Sequence, residues 1–403
     1  MTSRNPGELT PESPAAGASA ARPRVAVAMS GGVDSSVAAA LLRDRGYDVL
    51  GLTMVTGSPR DWGLSGRAGA PQEPSPADCE AVAAARAAAT QLAIPHHAVD
   101  LRSEFGSRIV RPFVEAYAAG FTPNPCVTCN AALKFGLLME AAFALGAARF
   151  ATGHYASAQE VDLASIGLGA GTGPSSRRVL LRRSGGPKDQ TYALCLLAQE
   201  QLRRCLFPLD GLTKPEVREI ARRRGLASAG RPESQDVCFL QGLDYRRFVS
   251  GMTAAPTRPG PVVDTSGRVL GSHQGLLGFT VGQRKGLGIG GPDVLYVLEL
   301  RPESGELVVG TGEELMSTSL IAGTPVFAAF DDLPGPLEVE AAIRYRAAPR
   351  PARVRPISGG HLEVTFREPQ RAVAPGQAVA FYIRDWLIGG AVISARRSTH
   401  PES

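Results

Sequence analysis

The sequence predicts an α/β fold, a parallel sheet interleaved with helices, followed by a β-rich C-terminal region. Three observations carry that expectation. Short apolar runs alternate with Ala- and Leu-rich helical stretches between residues 24 and 152. A glycine-containing string joins the first such run to the first helical stretch. From about residue 260 the texture changes to short strand-like pieces separated by Gly and Pro turns.

Residues 24–29, Arg-Val-Ala-Val-Ala-Met, read as a buried strand. Residues 37–45 read as a helix ended by Gly46, and 49–54 as a second strand. Residues 57–78 are rich in Gly, Pro and Ser and read as an insertion. An Ala-rich helix is expected over 79–92, then a strand near 97–99 and another at 150–152 leading into Gly153-His154. Residues 157–178 have the composition of a second insertion. Residues 212–250 read as helical and basic, with Arg222-Arg223-Arg224 in sequence. The later pieces, 295–300, 307–310, 325–330, 361–366 and 378–383, predict an antiparallel barrel or sandwich. Residues 1–22 lack the basic start and apolar core of a signal peptide and read as a disordered tail.

At 403 residues the chain has room for two or three domains, and its 44% hydrophobic, 20% charged composition is that of a soluble globular protein. No uninterrupted apolar run has the length of a membrane-spanning helix, so a cytoplasmic protein without a membrane partner is expected. A net charge of +5 suits a polyanionic partner. Its basic residues are 39 Arg and four Lys. Lys134, Lys188 and Lys285 fall inside motifs, whereas Lys214 does not. Six cysteines are too few for a disulfide scaffold. In a reducing compartment, a cysteine pair at motif spacing points to redox or metal chemistry.

Ser30-Gly31-Gly32-Val33-Asp34-Ser35-Ser36 lies between the first strand and the first helix. Adjacent glycines let successive N–H groups face one anion, the helix start adds its dipole, and Ser30, Ser35 and Ser36 add hydroxyl donors. A plain strand-to-helix turn would explain a lone Gly-Gly, but not the whole string. The second signal is Thr122-Pro123-Asn124-Pro125-Cys126-Val127-Thr128-Cys129-Asn130. Its two prolines predict a rigid, non-helical turn, and a helix over 133–145 would leave Cys129 near an N-terminus that favours thiolate. Cys238 lies in a third short string, Val237-Cys238-Phe239. Cys79, Cys195 and Cys205 sit among Ala and Leu and read as buried small hydrophobes.

Taken in order, these strings resemble the tRNA-specific 2-thiouridylases, members of the PP-loop ATP pyrophosphatase superfamily. The resemblance also rests on Lys134-Phe135-Gly136, Ala151-Thr152-Gly153-His154-Tyr155, Lys188-Asp189-Gln190, residues 282–289 (Gly-Gln-Arg-Lys-Gly-Leu-Gly-Ile), Arg344-Tyr345-Arg346 and Pro375-Gly376-Gln377. It implies a Rossmann-like PP-loop domain over 23–211, a small central domain over 212–275 carrying Cys238, and a C-terminal antiparallel β-barrel over 276–396 that binds tRNA. It also implies that ATP, with Mg²⁺, adenylates the 2-carbonyl of the wobble uridine, and that a persulfide then delivers sulfur. Cys238 matches the persulfide carrier and Cys129 its partner, the two joining in a disulfide after transfer. Ala28, Met29, Ser30, Gly31, Gly32, Val33, Asp34, Ser35, Ser36, Met54 and Gly153 match nucleotide-binding positions. Asn124, Pro125, Cys126, His154, Lys188, Asp189, Gln190, Arg344, Tyr345 and Gln377 match tRNA-contact positions. A cysteine desulfurase or sulfur-relay protein is implied as donor.

One position departs from the commonest family pattern: Cys126 stands where many members have Asp, a candidate general base. It is either a spare thiol or, with Cys129 and Cys238, a ligand set for a four-iron four-sulfur cluster with one open iron.

Overall fold

A computed structural model describes residues 23–58, 61, 76–169, 177–184, 186–231, 237–240, 242–252, 258–290 and 293–397. The expected tail at 1–22 and most of the expected insertion at 57–78 lie outside the described residues.

The first seven strands in the chain are β1 (Arg24–Ala28), β2 (Asp48–Val55), β3 (His96–Asp100), β4 (Arg149–Thr152), β5 (Ser157–Asp162), β6 (Arg177–Arg182) and β7 (Cys205–Leu206). Five of them form one sheet in the order β3-β2-β1-β4-β7, with every neighbouring pair parallel. Burial on both faces explains the apolar runs that announced it: Val25, Ala26, Val27, Phe150 and Ala151 are fully buried. Helices Val33–Asp44 and Pro76–Gln91 follow β1 and β2, as the alternation predicted. Chain order reverses between β1 and β4, which makes their C-terminal ends the topological switch point where doubly wound sheets bind ligands.

Residues 157–178 are not a simple insertion. They contain β5, a single helical turn Leu163–Ile166 and the start of β6, which form a hairpin. Alternating burial along β5 and β6 escaped the composition argument, because Gly, Ser and Thr in the connecting residues dominate that window. The hairpin leaves the parallel sheet and joins the C-terminal strands.

The later strands are β8 (Gly260–Val263), β9 (Val269–His273), β10 (Tyr296–Arg301), β11 (Glu306–Gly310), β12 (Met316–Ala322), β13 (Val326–Phe327), β14 (Leu337–Ala342), β15 (Arg350–Pro356), β16 (Leu362–Arg371), β17 (Ala378–Ile383) and β18 (Trp386–Arg397). The expected β module is therefore two modules. β10-β11-β8-β9 is a small separate sheet with its own core of Val262, Leu287, Val297, Leu307 and Val309. It straddles the expected boundary at residue 276. The second module closes on itself: β12-β16-β15-β14-β17-β18 is antiparallel throughout, and β18 pairs back onto β12. Six strands in a ring leave no open edge, which settles barrel over sandwich. β6 attaches to β18 through Leu181↔Leu387 and Arg182↔Trp386, tying the barrel to the N-terminal half.

The helix Pro125–Ala144 is long and apolar enough to cross a membrane by length and composition alone, although Asn130, Lys134 and Glu140 interrupt its apolar residues. Its apolar residues have another use: Leu133, Phe135, Leu138, Met139 and Ala142 are buried in the protein core. Over 212–250 the expected continuous helicity is limited to Lys214–Arg223 and Tyr245–Met252, joined by short turns, with residues 232–236 outside the described ones.

Candidate active site

The switch point brings two backbone segments together. After β1 the chain turns through Gly31, at φ +74°, into the helix Val33–Asp44. After β4 it turns through Gly153, whose missing side chain matters: a Cβ there would lie 2.7 Å from the Ser35 nitrogen. A Cβ on Gly31 would lie 2.7 Å from the Ala84 Cβ, so that glycine serves both a left-handed backbone and close packing. The Arg231 guanidinium folds over the turn, donating to the Gly31 carbonyl at 3.4 Å and pairing with Glu80.

The hydroxyls of Ser35 and Ser36, expected as donors to an anion, bond within the loop itself. Ser35 donates to the Gly32 carbonyl at 3.2 Å and accepts from the Ser30 N–H at 3.2 Å, while Ser36 donates to Gly32 at 2.9 Å. They shape the loop from within, both side chains being buried, and Ser30 is exposed. Met29 and Val33 are also buried, which leaves their backbone rather than their side chains at the turn. Ala28 and Met54 are half-buried on the adjacent strands β1 and β2.

Sequence reasoning left Lys214 without a role and gave none to Tyr155. Both grip the loop. Lys214 Nζ donates to both Asp34 carboxylate oxygens at 2.7 Å, and the Tyr155 hydroxyl donates to Oδ1 at 2.8 Å. A capping box between Thr213 and Glu216 fixes the start of the helix that carries Lys214. That box, with Pro215 at the start of the helix, was readable in Thr213-Lys214-Pro215-Glu216; its target was not.

The cysteine helix begins earlier than expected. Asn124 is the residue before the first turn and Pro125 opens the helix, so the supposed rigid turn is itself helical. Cys126, Cys129, Asn130 and Lys134 follow at three- and four-residue spacing on neighbouring turns. Residues Asn130–Leu137 are wound as a π-helix, with Gly136 outside helical angles at φ −101°, ψ −105°. Such irregularities re-aim side chains and are common at functional sites. Asn130 anchors the segment, donating to the Ala193 carbonyl at 2.9 Å and accepting from Lys134 Nζ at 2.9 Å.

Burial governs the thiols. Cys126 and Cys238 reach solvent, yet protein walls crowd their sulfurs, and all three candidate thiols resist ionisation. Burial pushes Cys129 up to about 12, offset in part by the Lys134 ammonium, with Cys238 and Cys126 adding to the rise. It pushes Cys238 up to about 11, with Cys126 raising and Lys134 lowering it. The favourable helix start expected for Cys129 is absent, because the helix opens four residues earlier at Pro125, and desolvation dominates. Mutual influence among the three thiols and Lys134 places them in one electrostatic neighbourhood. His154 shares it: burial, then Lys134, hold its imidazole well below its usual range, so it is neutral. Its Nδ1 lies 2.8 Å from the Thr152 hydroxyl, and its ring lies 5.8 Å from Phe135 on the cysteine helix. His154 thus adjoins Gly153, at the phosphate loop, on one side and the cysteine helix on the other. Cys195 and Cys205 are buried, and the side chain of Cys79 lies outside the described residues.

Lys214 and Tyr155 also line a cleft of about 1020 Å³, whose other walls include Lys188, Asp189, Arg344 and Tyr345. Four expected contact residues therefore share one surface. Asp189 is already engaged, accepting from the N–H and hydroxyl groups of Ser184 and Thr191. Gln190 accepts from the Tyr155 N–H at 2.9 Å. Arg344, Tyr345 and Arg346 are exposed, with the Arg346 guanidinium 5.3 Å over the Tyr345 ring. Gln377 lies elsewhere, donating to the Thr122 carbonyl at 2.7 Å, while Asn124 N–H donates to Gly376 at 3.2 Å. Those bonds tie the barrel to the entrance of the cysteine helix.

Comparison with known proteins agrees with this architecture. Residues 23–242 match the model of the tRNA methyl transferase HUP domain, 247–311 that of the tRNA methyl transferase PRC-barrel domain, and 317–393 that of the aminomethyltransferase β-barrel domain. The chain is 43% identical to the tRNA-specific 2-thiouridylase MnmA of Carboxydothermus hydrogenoformans, covering 93% of this chain and 98% of that protein. It is 46% identical to MnmA of Acidobacterium capsulatum, over 91% and 97% of the two chains. It is 44% identical to MnmA of Heliobacterium modesticaldum, over 92% of each. With identity at this level along nearly the whole length of each relative, the chain belongs to the tRNA-specific 2-thiouridylase family.

Proposed function

We propose that this protein uses ATP, entering as its magnesium complex, to replace the 2-carbonyl oxygen of the wobble uridine of tRNA with sulfur. The observation that carries the reading is the contiguity of an anion-binding loop with a thiol cluster, bridged by Gly153 and His154. The uridine O2 attacks the α-phosphorus of ATP and pyrophosphate leaves. The terminal sulfur of a Cys238 persulfide attacks C2, and AMP departs with the original oxygen. Cys129 then attacks the Cys238 sulfur, so that the electron pair of the broken S–S bond stays on the sulfur retained by the base. The products are 2-thiouridine, AMP, pyrophosphate and a Cys129–Cys238 disulfide, which a dithiol reductant reopens before a desulfurase or relay protein reloads Cys238. That cycle requires a reducing compartment, in keeping with a cytoplasmic enzyme.

The loop residues Ala28 to Ser36, with Met54 and Gly153, would hold the nucleotide. Asn124, Pro125 and Cys126 would line the pocket for the flipped base, because the 2-carbonyl is unreachable inside a stack. His154, Lys188, Asp189, Gln190, Arg344, Tyr345 and Gln377 would position the RNA. A neutral His154 suits a hydrogen bond to base or sugar better than a phosphate contact. Cys126 stands where an Asp was expected and His154 is neutral; among the described residues, Lys134 favours the anionic forms of Cys129 and Cys238.

The other chemistry suggested by Cys126, Cys129 and Cys238 is an iron–sulfur cluster. Among the described residues no three Cys, His or carboxylate groups converge as metal ligands. The residues as arranged do not fit such a group. The test of the main reading is pyrophosphate release measured with and without tRNA. Release of AMP and pyrophosphate that requires tRNA is expected; ADP and orthophosphate, or release indifferent to tRNA, would count against it.

A further inference from the structure

The proposed reaction gives Cys126 a place in the wall of the base pocket but no chemistry. Its surroundings suit it to some. Pro125 is the first helical residue, so Cys126 stands in the first turn, where free N–H groups and the helix dipole favour a thiolate, and it is exposed. Cys129 follows one turn deeper and is half-buried. Helical geometry sets Cα atoms three residues apart at about 5 Å, inside the range of roughly 4.4–6.8 Å that a disulfide spans. Cys238 opens a separate turn, Cys238–Leu240, beside that helix: Cys129 and Val237 pack against one cluster containing Phe113, Phe239 and Phe248. A Cys129–Cys238 disulfide joins two segments, whereas a Cys126–Cys129 disulfide joins residues already fixed on one helix and costs less chain freedom. The leaving groups point the same way. Burial raises Cys238 to about 11 and Cys129 to about 12, so Cys238 is the better leaving thiol.

We propose that Cys126 is a resolving thiol that moves the disulfide off the sulfur carrier. After sulfur transfer its thiolate attacks the Cys129 Sγ of the Cys129–Cys238 disulfide. A Cys126–Cys129 bond forms, the Cys129–Cys238 bond breaks, and the electron pair of the broken bond leaves on Cys238. That sulfur takes up the proton that Cys126 gave up, so the exchange consumes no oxidant or reductant. Cys238 becomes open to a new persulfide sulfur before a dithiol reopens the Cys126–Cys129 bond. The inference rests on the persulfide cycle proposed for this site and adds a step to it.

The linkage is readable in the wild-type full chain. Protein carrying a Cys238 persulfide is given ATP, magnesium and tRNA for one turnover without a dithiol, quenched in acid, alkylated with N-ethylmaleimide and mapped by peptide mass spectrometry. The expected product has Cys126 joined to Cys129 and Cys238 alkylated, in at least about tenfold excess over any linkage to Cys238. Cys129 joined to Cys238 with Cys126 alkylated overturns the proposal, as does a Cys126–Cys238 bond. Cys126→Ser should trap the Cys129–Cys238 disulfide and take up no second persulfide sulfur until a dithiol is added; reloading without one also overturns the proposal. A second measurement needs neither ATP nor tRNA: the wild-type chain is equilibrated with oxidised and reduced dithiothreitol and mapped in the same way. The Cys126–Cys129 bond should again predominate, and any other dominant linkage counts against the exchange. That bond at equilibrium, with no thiolated tRNA and no disulfide after the turnover, contradicts the persulfide cycle instead, a separate failure.

Discussion

The phosphate loop and the cysteine helix use opposite construction. The loop is made of backbone: its glycines, its helix start and two serines turned inward build an anion site before any ligand arrives. The cysteine site is made of side chains on an irregular helix, and burial shifts its thiols toward their protonated forms. One site is preformed and the other must be activated. That difference fits a reaction in which activation of the carbonyl precedes delivery of sulfur.

The sharpest way to break the comparison is to remove one site and ask whether the other persists. Cys238→Ser is expected to reduce thiolation by at least about 10³-fold, because a hydroxyl carries no persulfide, while tRNA-dependent pyrophosphate release continues. Loss of both activities together would mean that the sites are not separable. The reverse lesion is Gly153→Ala, whose Cβ would meet the Ser35 nitrogen at 2.7 Å. Overpacking of this kind costs about 1–3 kcal/mol, and kcat/KM for ATP should fall by about 100-fold. Alkylation of Cys238 should be unchanged in that variant.

Smaller effects sharpen the account. Arg344→Ala should weaken tRNA binding about 3–10-fold and reduce the slope of log affinity against log salt by about 1, leaving nucleotide binding intact. Lys134→Met probes the activation of the thiols. Its ammonium lowers the Cys238 thiol, which burial and then Cys126 nonetheless raise to about 11. Removing the cation raises that value further, so less thiolate exists at any pH below it. Iodoacetamide labelling of Cys238 near pH 8 should slow about 3–10-fold, and the wild-type rate should keep climbing with pH instead of levelling off near neutrality.

Legibility followed the same division. The phosphate loop could be read because a seven-residue string between a strand and a helix has few other uses, and the alternation around it implied the parallel sheet. The spacing of the thiols pointed to redox or metal chemistry without choosing between them, and it said nothing of their protonation: desolvation depends on which segments pack over Cys129. Lys214 was invisible because it meets Asp34 from 180 residues away. The hairpin of β5 and β6 was hidden for a similar reason, since its partner strand β18 is the last in the barrel. Local pattern announces elements; pairing between distant ones decides which side chains share a site.

The central claim is that oxygen is exchanged for sulfur on a tRNA uridine at the expense of ATP. Its most direct test is nucleoside mass spectrometry of tRNA after incubation with the protein, ATP, magnesium, a dithiol and a persulfide donor. The account predicts 2-thiouridine at the wobble position, one AMP and one pyrophosphate per base modified, and no product when Cys238 is Ser. Unmodified uridine alongside ATP turnover, or 2-thiouridine formed by the Cys238→Ser variant, would contradict it.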